Sequence, residues 1–238
     1  SVTGSGGAGS ISFLGSTTSV TNAAAFAIGG TLTLGNGGDS LTFTNGITAT
    51  SATIDGTLTT VSSPISINSL TSTTAVLTTG STSSSTVTLG SVSGTTTITG
   101  GAVSITGTAS GAGTLTINTS GNVTFSRALN MTGGLVVSAT AATVSIPGGS
   151  VGSVAVTATT INLTTAPLFV TGATSLSGSS AVTLQSGSGI NNSSSGNTGT
   201  ITISAGAGGF SQAANAGIFT RNNTASAIGL TVTGGGSA

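Results

Sequence analysis

The 238-residue chain carries two arginines and two aspartates, no lysine, glutamate, histidine, cysteine, tryptophan or tyrosine, and a formal net charge of zero. Nucleic acid and anionic membranes both demand clustered lysine and arginine to displace counterions, and Arg127 and Arg221, far apart in the chain, exclude those partners. No apolar run approaches the ~20 residues that a spanning helix needs, so no membrane insertion is expected.

Taken in chain order, short apolar, small polar, apolar units closed by glycine or asparagine begin with Ile11/Phe13, Leu32/Leu34, Leu41/Phe43 and Ile65/Ile67. They continue through Val87/Leu89, Val103/Ile105, Leu115/Ile117, Val123/Phe125, Leu129/Met131, Leu135/Val137 and Val144/Ile146. Val154/Val156, Ile161/Leu163, Leu168/Val170, Val182/Leu184, Ile201/Ile203 and Leu230/Val232 complete the series. Alternation with period 2 in Thr, Val and Ile is the mark of a half-buried strand, here of about three to five residues. Only 21–29 and 211–219 have the composition for a helical turn, because glycine interrupts most other windows. Serine, threonine and glycine exceed half of the chain. Disorder nevertheless joins low hydrophobicity to high net charge, and mean hydropathy here is +0.49. The chain is expected to collapse.

Leu32, Phe43, Ile54, Ile65, Val76, Val87 and Ile98 recur at a constant spacing of eleven. A repeat of eleven, or of twice that if two strand units make one turn, points to an all-β fold, a parallel β-solenoid (β-helix) of short strands with Gly/Asn turns. With about 4.8 Å between rungs, a rung of two such units makes a rod of about 50 Å. The alternative is an antiparallel sandwich, which calls for longer strands. Residues 1–238 read as a single solenoid domain, with irregular segments at 1–10, 185–200 and 204–217. In TVTLGSVSGTTTITGG (86–101), Val87 and Ile98 are expected in one inward column, with Gly90 and Gly94 at the corner and the threonines facing out. One rung buries too little to fold alone, so stability must come from stacking, and each end exposes a ladder edge.

Catalysis is judged by inventory. Asp39 and Asp55 are the only carboxylate side chains, and no histidine or lysine stands beside any serine. The separation of the two aspartates fits neither the single nor the doubled repeat, which keeps them from reading as a catalytic carboxylate pair. Asp39 in GNGGDS and Asp55 in IDGT read as turn residues, Arg127 and Arg221 as solvated ones. No catalytic, cofactor or metal site is expected: zinc lacks ligands and calcium needs more carboxylate. The glycine runs lack a P-loop context. Asn-x-Ser/Thr sequons, from Asn118 to Asn222, barely exceed chance for this composition. Pairs such as Thr31/Thr33, Thr42/Thr44, Thr57/Thr59, Thr86/Thr88, Thr97/Thr99, Thr114/Thr116 and Thr231/Thr233 are similar to the faces of ice-binding solenoids, but their uneven spacing argues against aligned ranks.

The units GTLTL, NGGDSLTF and GTLTINTSG resemble the β-helical repeat regions of filamentous-haemagglutinin-type adhesins and autotransporter passengers. That resemblance covers most of the chain and rests on repeat style. It implies an extracellular or cell-surface, non-enzymatic stalk or fibre, without the NPNG-like secretion motif. The chain starts at Ser1 with no basic and apolar leader, so it reads as a processed product or a piece of something longer. The expected function is a structural or adhesive subunit or segment of a surface fibre that self-assembles end to end. Its expected partner is itself or neighbouring repeats of a longer chain, with a host or surface glycan as a further partner. The alternative is a ligand-binding solenoid surface, for ice or glycans.

Overall fold

The computed structural model describes residues 2–61, 63–79, 86–192, 199–220 and 230–234. Among them the chain is all-β, without a helix, and every strand pairing is parallel. The two segments with helix-compatible composition hold strands instead, Ala24–Ala27 in the first and Gly209–Gln212 and Gly217–Thr220 in the second. Threonine, β-branched and small residues favour the pleated surface, and stacked rungs satisfy their backbone groups.

The coil has three faces, not the two that a pair of strand units per turn implied. The strand Ile47–Thr59 shows one turn: Ile47–Ala49 pairs on the first face, Ser51–Ile54 on the second and Gly56–Thr59 on the third. On the first face the inward column runs Val2, Ala24, Ile47, Ile65, Val87, Val103, Val123, Val144, Ile161, Val182 and Phe210. The length of chain between neighbours in this column varies, being short from Val87 to Val103 and long from Val182 to Phe210. Corners absorb these differences while the strands stay aligned.

That variable step explains the series at spacing eleven. Ile65 and Val87 lie on the first face, Leu32 and Ile54 on the second, and Phe43 and Ile98 on the third, while Val76 occupies an outward position there. Val87 and Ile98 are both buried but belong to different columns, Val87 with Ile65 and Val103, Ile98 with Leu77 and Ile117. Gly90 and Gly94 likewise serve two corners, the first where Ile67–Leu89 pairing passes to Ser69–Ser91, the second where register shifts between Thr71 and Thr74. Segments 1–10, 185–200 and 204–217 contain the strands Val2–Ser5, Gly189–Asn192 and Gly209–Gln212.

The interior is a narrow aliphatic prism. Its N-terminal part is aromatic, with Phe13, Phe26 and Phe43 contributed by the second, first and third faces. Their rings meet edge to face at centroid distances of 5.8, 5.9 and 6.4 Å. Two threonines sit in one inward column of the third face, which runs Ala75, Thr96, Leu115, Leu135, Val154, Thr174 and Ile201. The Thr96 hydroxyl lies 2.9 Å from the Ser72 hydroxyl. The buried Thr174 Oγ1 has no partner among the described residues. Leaving a buried hydroxyl unpaired costs about 1–3 kcal/mol. Thr174→Val, nearly the same in volume, is therefore expected to raise stability by about 1 kcal/mol or more, whereas Thr96→Val lowers it by removing the bond to the buried Ser72 hydroxyl. Denaturant titration of the two variants checks the opposite signs.

Candidate functional site

Asp39 and Asp55 are closer than their sequence separation implied. Asp39 pairs with Gly56 in the next rung, so both aspartates belong to the same corner between the second and third faces. Their separation is close to one rung because the turn here is shorter than the two strand units expected of it. Asp39 is buried, and its Oδ2 accepts the Asn36 N–H at 3.0 Å, which closes the loop formed by Gly35, Asn36, Gly37 and Gly38. This is the side-chain turn that an aspartate beside glycines makes. No group of three or more histidine, cysteine, aspartate or glutamate side chains comes together among the described residues.

Arg127 is exposed and lies at the corner between the first and second faces. There it borders a shallow groove with Asn68, Ser69, Ser91, Thr106 and Thr108. A neighbouring groove of about 420 Å³ runs along the first face past Ala25, Ala27, Thr48, Thr50, Ser66 and Thr88. Hydroxyl, amide and methyl groups line both, and no carboxylate or imidazole faces them. Arg221 and Asn222 lie outside the described residues. The two grooves offer shape, hydrogen bonding and van der Waals contact.

The threonine pairs are distributed over all three faces. Thr86 and Thr88 lie on or beside the first, Thr31 and Thr33 the second, and Thr42, Thr57, Thr59, Thr97 and Thr99 the third. Their uneven spacing in sequence does not prevent alignment. On the third face Thr42, Thr59, Thr78 and Thr99 stack in one outward rank, which continues through Asn118, Ser138, Thr157, Ser177 and Ser204. The adjoining rank, Ser40, Thr57, Val76, Thr97, Thr116, Val136, Ala155, Ser175 and Thr202, is interrupted three times by an aliphatic side chain.

Two exposed aromatics belong to no motif in the sequence. Phe169 and Phe219 are 47% and 54% exposed in a chain whose other described rings pack inward or at its ends. Alternation is the signal that marks them: Leu168 and Val170 point inward, so Phe169 points out, and Phe219 follows the partly buried Ile218.

Comparison with known protein families, curated proteins and solved structures finds no match to this chain. Its three-faced parallel coil therefore stands on its own geometry.

Proposed function

We propose that the chain is a non-enzymatic, extracellular structural and adhesive element, a rod segment of a surface fibre that extends by β-stacking at its ends. The observation that carries this reading is the parallel ladder that runs from rung to rung on all three faces. Val2–Ser5, Ile11–Phe13 and Thr17–Val20 each pair on one side alone among the described residues, so a further rung, from a neighbouring repeat or from another copy, would continue all three parallel ladders there. An unpaired edge is a template for another strand, and main-chain hydrogen bonds give affinity without any reactive side chain. Near-zero charge adds no repulsion between copies. The likeness to adhesin and autotransporter repeats supports a cell-surface setting for such a rod.

Electron micrographs of the purified protein over a concentration series are expected to show short rods joining end to end. Ser12→Lys with Ser19→Lys, which sets two cations on the outward side of the edge, is expected to move the onset of assembly to higher concentration. Isolated monomers at every concentration would remove self-assembly from the proposal. The aligned threonine rank of the third face favours one second reading, an ice-binding surface. Thermal hysteresis lost in Thr59→Lys and Thr78→Lys is its test.

A further inference from the structure

The two exposed phenylalanines share one outward rank of the second face. Register places Phe169 opposite Asn191 and Asn191 opposite Phe219, so the three residues occupy consecutive rungs in the order ring, amide, ring. The rank continues on the other side of Phe169 through Ser150 and Asn130, both exposed. Two rung steps put the aromatic positions about 10 Å apart along the axis. The strand at Gly217 is also shaped for its ring: a Cβ there would stand 2.7 Å from a Phe219 ring carbon, so the missing side chain leaves a seat against which the ring lies. The rungs of these residues hold no ionisable side chain among those described.

From this rank we infer a binding track for an extended β-1,4-linked pyranose chain, lying along the solenoid axis. A gluco-configured sugar carries its hydroxyls equatorially and shows axial C–H groups on its two faces, and an aromatic ring gives those C–H groups a flat, apolar, electron-rich platform. In an extended β-1,4 chain, alternate sugars turn over, so every second sugar offers the same face. Rings on rungs n and n+2 meet that repeat, and the outward residue of the rung between them, beside the intervening sugar, is the polar, half-buried Asn191. Ser150 and Asn130 extend the polar side of the track. A helical α-1,4 chain cannot keep its sugars level with both rings. This site acts in a single copy of the chain, so it does not depend on end-to-end stacking.

Isothermal titration of the whole chain with cellohexaose, chitohexaose and maltohexaose tests the track. The expected result is binding of one or both β-1,4 hexaoses and none of maltohexaose. Phe169→Ala and Phe219→Ala are each expected to weaken that binding at least tenfold and together to abolish it, with unchanged circular dichroism and thermal midpoint because both rings lie outside the core. No binding of either β-1,4 hexaose at millimolar concentration overturns the inference, as does equal binding of maltohexaose or unchanged affinity in the double variant. If the parent binds no hexaose and the double variant loses self-association, the inference is also overturned and the rings form a contact between copies.

Discussion

Phe43→Ala is expected to cost about 3–5 kcal/mol, the range for removing a fully buried aromatic side chain. Phe43 is 0% exposed and meets both Phe13 and Phe26, so truncation removes two edge-to-face contacts together with the buried surface. The aliphatic columns beyond it cannot close the gap, because ladder hydrogen bonds hold each strand at a fixed distance from its neighbours. In a stacked coil each rung rests on its nearest neighbours alone. The loss therefore falls first on the N-terminal rungs. Hydrogen exchange is expected to accelerate over Ile11–Phe13, Thr17–Val20 and Leu32–Phe43, while Ser153–Leu163 keeps its protection. Fast exchange spread evenly along the rod would show that it melts as one unit. The same variant reports on the proposed function, since disordering the N-terminal rungs is expected to suppress end-to-end assembly.

Gly94→Ala acts in the middle of the rod and is expected to cost about 2–4 kcal/mol. Gly94 has φ of 88°, a left-handed conformation that an L side chain enters at a cost of about 1–2 kcal/mol. Its Cβ would also overlap the carbonyl oxygen of Ser72 on the preceding rung, a backbone atom that cannot move without opening the ladder. The Ser72 hydroxyl donates to the Thr95 carbonyl at 2.9 Å and touches Thr96, so the strain enters a satisfied hydroxyl pair of the core. Gly94→Asn is expected to recover little. Asparagine tolerates left-handed backbone, but its Cβ occupies the same place. Weakening a central interface uncouples the rungs on its two sides, so calorimetry is expected to resolve two transitions for the variant and one for the parent. A single transition at the parent temperature would mean that the corner relaxes freely.

Much of the fold is written locally. Leu32/Leu34, Val123/Phe125 and Ile161/Leu163 are buried pairs as their alternation requires, because a strand's side chains leave the backbone on opposite faces whatever the tertiary context. The same rule exposes Phe169 between Leu168 and Val170. Composition alone removes most of the means of acid, base and metal chemistry from consideration, since the side chains are missing from the chain.

Register is not written locally. Whether Val87 stacks on Ile98 or on Val103 depends on how much chain each corner consumes, and corners of different lengths join strands that are locally alike. A spacing of eleven thus resembles a column while it alternates among three faces, and two aspartates that look unrelated along the chain share a corner. The side of each strand that faces the core is legible in the chain alone, because period 2 is a property of the backbone. Which rungs lie side by side, and hence that Phe169, Asn191 and Phe219 share one outward rank, emerges from the folded coil, because stacking between residues distant in the chain makes that choice.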